Sequence, residues 1–167
     1  AVARWLSVLL LLCTWPQPAA GGSDPLKVFV VPVAGTVDPG LAAFVQRALQ
    51  TTDAGPDSLF VMEMDTFGGR VDAALEIVDA LLTVPADRSF AYVAKKAISA
   101  GALIALACGR LVMHPNTTIG DCAPISYSEE GPQVLGEKFQ SPLRAKFRAL
   151  AKRNGYPQAL AESMVTA

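Results

Sequence analysis

Ser99 stands in Ile98-Ser99-Ala100-Gly101-Ala102, where the strand-like run Phe90-Ala91-Tyr92-Val93-Ala94 gives way to a small-residue apolar helix ending at Cys108. A serine at such a junction is commonly an N-cap, its oxygen accepting a bond from the helix's own N–H groups. The neighbouring residues favour a second role. Ala97, Ala100, Gly101 and Ala102 leave room beside the hydroxyl for a substrate. The free N–H groups of a helix start also favour a developing oxyanion. Ser99 is therefore read as a nucleophile. Gly68-Gly69, after the apolar run Ser58 to Met64, is another place where backbone can be closely approached, because glycine has no side chain to block a carbonyl. Alone, such a pair is more often a simple turn. In a parallel sheet, however, strand-end loops gather at one edge, where ligands bind. An N–H from Gly68 or Gly69 and that of Ala100 are then expected to form an oxyanion hole.

A serine nucleophile needs a base. His114 is the single histidine, 15 residues beyond Ser99 (114 − 99) at a strand end, which fits a triad poorly and reads as structural. A lysine can serve instead where burial disfavours its charge. Lys95 and Lys96 adjoin the serine, with one of them directed to solvent. Lys146 and Lys152 lie among other charges on a solvated helix face. Lys138 follows a polar stretch and precedes a helix, so ordering of that stretch could bury it over Ser99.

The elements that must position these residues repeat as strand then helix. Strands are expected at Leu26 to Val33, Ser58 to Met64, Ser89 to Ala94 and Arg110 to His114. Helices are expected from Pro39, from Val71 to Leu82 and from Ser99 to Cys108, with apolar residues at helical spacing in the first two. Near-continuous apolar strands suit a parallel sheet covered on both faces, and short connections complete an α/β fold. Ser126 to Glu137 is polar and glycine-containing and reads as a mobile loop. Ser141-Pro142 reads as the cap and first position of the next helix, Asn154-Gly155 as its end, and Pro157 to Val165 as a last helix.

Net charge is −1 with 17% charged residues, which leaves no electrostatic case for nucleic acid. Arg4, the Leu-rich run from Trp5 to Trp15 and the small residues closing Pro16-Gln17-Pro18-Ala19-Ala20-Gly21 have the layout of a secretory signal peptide over residues 1–21. The remaining residues, 22–167, form one domain, expected to be truncated at its C-terminus. Export would permit a Cys108–Cys122 disulfide, which sequence leaves open. The Cys and His residues have no metal-ligand spacing, and no cofactor is expected.

Met64-Asp65-Thr66-Phe67-Gly68-Gly69-Arg70-Val71, Ile98-Ser99-Ala100-Gly101-Ala102 and Pro115-Asn116-Thr117-Thr118-Ile119-Gly120 resemble segments of the NfeD-type membrane-bound serine proteases. These belong to the Clp protease/crotonase superfamily and are related to signal peptide peptidase A. The resemblance implies a Clp/crotonase-like fold and a Ser–Lys dyad that maps onto Ser99 and Lys138. It also implies hydrophobic peptide or membrane-protein substrates, a stomatin-like partner, a homo-oligomer such as a dimer, and membrane anchoring of the full-length protein outside the cytoplasm. The chain departs from the family pattern at Phe67, where a proline is usual, and at Ala102. The histidine of the Clp triad has no counterpart near Asp121-Cys122. Two other readings stand beside the peptidase: an inactive scaffold that docks a stomatin-like protein, and acyl-CoA chemistry, which an export signal disfavours.

Overall fold

A computed structural model describes residues 26–51 and 58–165. The proposed signal peptide and the Asp53–Asp57 loop lie outside the described residues. The element order is β1 (Lys27–Val37), α1 (Pro39–Thr51), β2 (Ser58–Gly69), α2 (Val71–Leu82), a 3-10 turn (Ala86–Arg88), β3 (Ser89–Ile98), α3 (Ala100–Ala107), β4 (Arg110–Met113), β5 (Thr118–Gly120), β6 (Ile125–Ser128), β7 (Gly131–Val134), α4 (Glu137–Asn154) and α5 (Gln158–Ser163). Strands β1-β2-β3-β4 lie side by side in that order, β5 pairs with the far end of β3, and every pairing in this sheet is parallel.

Alternation along the strands decides which side is core. In β2, Phe60, Met62, Met64 and Thr66 are buried while Leu59 and Val61 are half-buried; in β3, Ala91, Val93 and Ala97 are buried. Helix α3 crosses the buried side of β1, β2 and β3 and packs on α2 and α4. All eight residues of α3 are buried, and alanine and glycine at four of its first six positions let a helix lie that close to the sheet. The opposite face is less covered than the apolar strands led us to expect. Val28, Val30 and Val112 are exposed there.

Two further expectations need correction. Ser126 to Glu137 is not a structureless loop: β6 and β7 form an antiparallel hairpin with Ile125 opposite Val134. Nor does Ser141-Pro142 open α4. That helix starts at Glu137 after Gly136, and Pro142 lies inside it. Pro142 has no N–H to give the Lys138 carbonyl, so one bond of the helix ladder is missing. The first turn is held instead by Gln140, whose Nε2 donates to Leu135 O at 2.8 Å, and by a Glu137–Arg144 ion pair.

Among the described residues, Cys108 and Cys122 are both free and buried. Cys108 caps the C-terminus of α3, whereas Cys122 contacts Ser99 at its other end. Eight helical residues separate those ends by about 12 Å, beyond the reach of a disulfide.

Candidate active site

Ser99 precedes α3 with φ 55° and ψ −119°, a conformation that residues with a Cβ rarely adopt. Holding it costs on the order of 1–3 kcal/mol and needs firm anchors on both sides. The Ser99 N–H donates to Gly120 O of β5 at 2.8 Å. Its carbonyl accepts from Ala102 N at 2.9 Å, from Leu103 N at 3.4 Å and from the Cys122 thiol at 3.4 Å. With the backbone so fixed, the side chain caps nothing: the hydroxyl makes no bond to the helix N–H groups. The N-cap reading of Ser99 therefore falls. The turn instead presents the half-buried hydroxyl at the helix N-terminus, beside N–H groups that have no intrahelical acceptor.

Sheet topology brings the glycine pair to this turn. A Cβ on Gly68 would lie 2.7 Å from Ser99 Cβ, 2.8 Å from Ile98 O and 3.1 Å from Ala100 N. Gly68 has φ +99°, which only glycine takes without strain. A Cβ on Gly69 would strike the Val37 backbone, and Arg70 N donates to Val37 O at 2.8 Å. The end of β1 thus braces the turn from behind. Both register shifts in the sheet, between Ala34 and Thr36 and between Met64 and Asp65, fall at this carboxyl edge. Bulges are common beside active sites, where they re-aim the chain. The N–H of Gly68 is already committed, donating to Thr66 Oγ1 at 2.9 Å. Of the expected donors, Gly69 and Ala100 line the pocket and Gly68 does not.

That pocket has a volume of about 540 Å³. Ser99, Ala100 and Gly69 form one side. Leu75 and Leu103 come from the helices under it, and Ile125, Leu135 and Phe139 come from the hairpin and the start of α4. Its walls suit an apolar side chain. Cys122 also lines it, with its thiol pushed up to about 12, mainly by burial and then by the neighbouring Asp121. A thiol so disfavoured as thiolate is a poor nucleophile at neutral pH.

The lysines separate cleanly. Lys95 and Lys96 both clasp Asp65, at 2.8 and 2.7 Å, and Lys96 Nζ lies 4.4 Å from the Phe67 ring centroid. The hydrogen bond it donates to the Asp65 carboxylate holds the Lys95 ammonium above its ordinary range, the reverse of what a base requires. His114 is exposed, its Nδ1 against Pro115 O at 2.9 Å. Lys146 lines the pocket, with its ammonium 3.3 Å from Asp79 Oδ1. Lys138 is exposed on the first turn of α4 and is not part of the lining, although the next residue, Phe139, is. The structure thus brings Ser99, Ala100, Gly68 and Gly69 together and leaves Lys138 outside the group.

Sequence reading gave no role to Thr66, Gly120 or the apolar hairpin residues. Ile125 and Val134-Leu135 flanking Glu129-Glu130-Gly131 were the available sign of a hairpin with one apolar end. Among the described residues, no cluster of three or more His, Cys, Asp or Glu could hold a metal ion. No described helix is long and apolar enough to cross a membrane.

A parallel sheet crossed by a buried helix is the fold of the Clp proteases. Clp protease 1 of Listeria monocytogenes superposes with a TM-score of 0.59 at 21% identity, covering 83% of this chain and 79% of that one. Residues 27–167 match the NfeD1b N-terminal domain, and the chain belongs to that family. It is 34% identical over 133 residues to the membrane protein NfeD1b of Bacillus subtilis, covering 79% of this chain and 29% of that protein. It is 29% identical over 143 residues to the membrane-bound protease PH1510 of Pyrococcus horikoshii, covering 83% of this chain and 32% of that protein. The chain therefore spans about a third of the length of these relatives. Two solved structures of the 1510-N membrane-bound stomatin-specific protease are similar, each 27% identical and covering 86% of this chain. A serine-to-alanine variant has a TM-score of 0.78 with 72% of that chain covered. A lysine-to-alanine variant in complex with a substrate peptide has a TM-score of 0.77 with 68% covered.

Proposed function

We propose that this domain is a serine peptidase in which Ser99 attacks apolar peptide segments and Lys138 is the general base. The observation that carries the reading is the Ser99 turn: a positive-φ serine whose hydroxyl caps nothing, at a helix N-terminus and on the wall of an apolar pocket. Lys138 Nζ takes the hydroxyl proton as Ser99 Oγ bonds to the peptide carbonyl carbon. The oxyanion meets the N–H groups of Gly69 and Ala100. Collapse breaks the C–N bond, and the proton passes from Lys138 to the departing amine. Water then hydrolyses the acyl ester, with the lysine again acting as base.

Lys138 must move for this to happen. It sits where α4 joins the hairpin, and Pro142 has already removed one ladder bond from that turn. Closure of the hairpin and first turn on a bound peptide would carry Lys138 over Ser99. The similar 1510-N protease supports the assignment, since its peptide complex was obtained with a lysine replaced. By the same likeness, a stomatin-like membrane protein is the proposed substrate or partner. The full-length protein is proposed to be membrane-anchored and exported, with residues 1–21 as signal peptide, and to assemble as a dimer. The exposed Lys138 favours one competing reading, an inactive scaffold that binds a stomatin-like protein.

Fluorophosphonate labelling separates the two. Wild type should label and hydrolyse an apolar peptide, and Ser99→Ala should do neither. Lys138→Ala and Lys138→Arg should both be inactive, because a guanidinium does not give up its proton. Unlabelled wild type would establish the scaffold, and an active Lys138→Arg would move the base elsewhere.

A further inference from the structure

Thr66 is 1% exposed, one of three buried polar residues among those described. Its side chain touches three backbone segments. Oγ1 donates to Gly35 O at 2.5 Å and accepts the Gly68 N–H at 2.9 Å. Cγ2 lies against α3 so closely that a Cβ on Gly101 would sit 2.6 Å from it. Each segment is irregular or critical. Gly35 has φ +75° inside the β1 register shift, Gly68 has φ +99° in the glycine turn, and Gly101 is the second residue of the helix that Ser99 opens.

We infer that Thr66 is a positioning residue for the oxyanion turn. Its hydroxyl fixes the orientation of the Gly68 peptide and keeps that N–H out of the donor set, so the Gly69 N–H is the one the loop offers. The inference rests on the peptidase reading above. Two consecutive glycines have wide conformational freedom, and hydrogen-bond donors stabilise a transition state only if they are aimed before it forms. Without the hydroxyl, the Gly68 N–H has lost its acceptor and the pair can turn. The ground state, bound largely by apolar walls, is little affected, so the loss appears in kcat rather than KM.

The experiment compares Thr66→Val and Thr66→Ser in the full chain, by hydrolysis of an apolar chromogenic peptide and by the rate of fluorophosphonate labelling. Thr66→Val keeps the shape and removes the hydroxyl; kcat and labelling rate should fall about 10–100-fold with KM within about twofold. Thr66→Ser keeps the hydroxyl and should stay within about threefold of wild type in kcat, even if its melting temperature falls. A wild-type kcat in Thr66→Val overturns the inference. So does a folded Thr66→Ser that loses kcat by the tenfold or more expected of the valine variant, since packing on Gly101 would then be the cause. Should Thr66→Val fail to fold, Thr66→Ser decides by the same criterion. Ser99→Ala separates the two levels: if it labels like wild type, the peptidase reading itself fails. If it is dead while Thr66→Val is fully active, only the positioning role fails.

Discussion

At the scale of single residues, the site depends on how little space surrounds Ser99. Any Cβ at position 68 meets Ser99 Cβ and Ile98 O inside van der Waals contact. Gly68→Ala should therefore slow acylation by displacing the nucleophile, not by removing a donor, because that N–H is bound to Thr66. A misplacement of about 1 Å is enough for a loss near 10²-fold in kcat, and the rate of fluorophosphonate labelling measures it. Gly69→Ala acts differently. Its Cβ collides with the backbone of β1, so the cost appears in folding, about 1–3 kcal/mol in a denaturant melt. The lysines yield a third prediction. Lys146 lines the pocket but is paired with Asp79, so Lys146→Ala should raise KM a few-fold with little change in kcat. Loss of kcat in Lys146→Ala with full activity in Lys138→Ala would exchange their roles.

At the scale of elements, most of the frame was legible. Period-3.6 apolar positions marked α1 and α2, and apolar runs marked β1 to β4, because these segments are specified by local pattern. The meeting of Gly68-Gly69 with Ser99 followed from the rule that parallel strands deliver their loops to one edge. The fate of Lys95 and Lys96 was not legible: their partner, Asp65, lies about thirty residues away, and only the β2–β3 register brings it close. The hairpin was missed for a related reason. Its strands have four residues each and are mostly exposed, so little apolar periodicity survives, and pairing across the Glu129-Glu130 turn specifies them. Pro142 misled because proline favours a first helical turn, whereas here Gly136 and the Gln140 side chain already start the helix upstream. The hairpin's one apolar end is what reaches the pocket. Ile125→Ser together with Leu135→Ser should raise KM for an apolar peptide about tenfold and lower kcat as well, since the hairpin's apolar end both binds the peptide and closes on it to bring Lys138 over Ser99. A raised KM with kcat unchanged would show that hairpin closure does not assemble the catalytic group.

At the scale of the whole molecule, the domain is sealed at the end opposite the site by groups that tolerate ionisation poorly. Cys108 caps α3 and is completely buried, and burial pushes its thiol up to about 12. Tyr156 donates its hydroxyl to Cys108 O at 3.0 Å and is likewise pushed up to about 12, chiefly by burial. Asn154 adds bonds to Leu106 O and Cys108 O, so the C-terminus of α4 is clamped onto the α3–β4 connection. Cys122, also at about 12, lies at the other end of the same helix. In the unfolded chain these thiols ionise near 8.5 and the tyrosine near 10. Folded values raised above unfolded ones mean that the unfolded state releases protons first as pH rises. Stability is then full below about pH 8.5 and declines from there toward pH 12. The Asp65 carboxyl, held low mainly by hydrogen bonds from Lys95 and Lys96, acts in the opposite window. Its contribution is present above about pH 4 and is lost as pH falls further, and with the group exposed it is small. The melting temperature should therefore be flat from neutral pH to about pH 8.5 and then fall steeply by pH 11. Cys108→Ala removes one of the three buried alkaline groups and should make that fall shallower, while Lys95→Ala, whose ammonium is also raised but exposed, should change it only slightly. A Cys108→Ala profile parallel to wild type through pH 11 would show that the clamp at the far end of α3 is not what alkali opens.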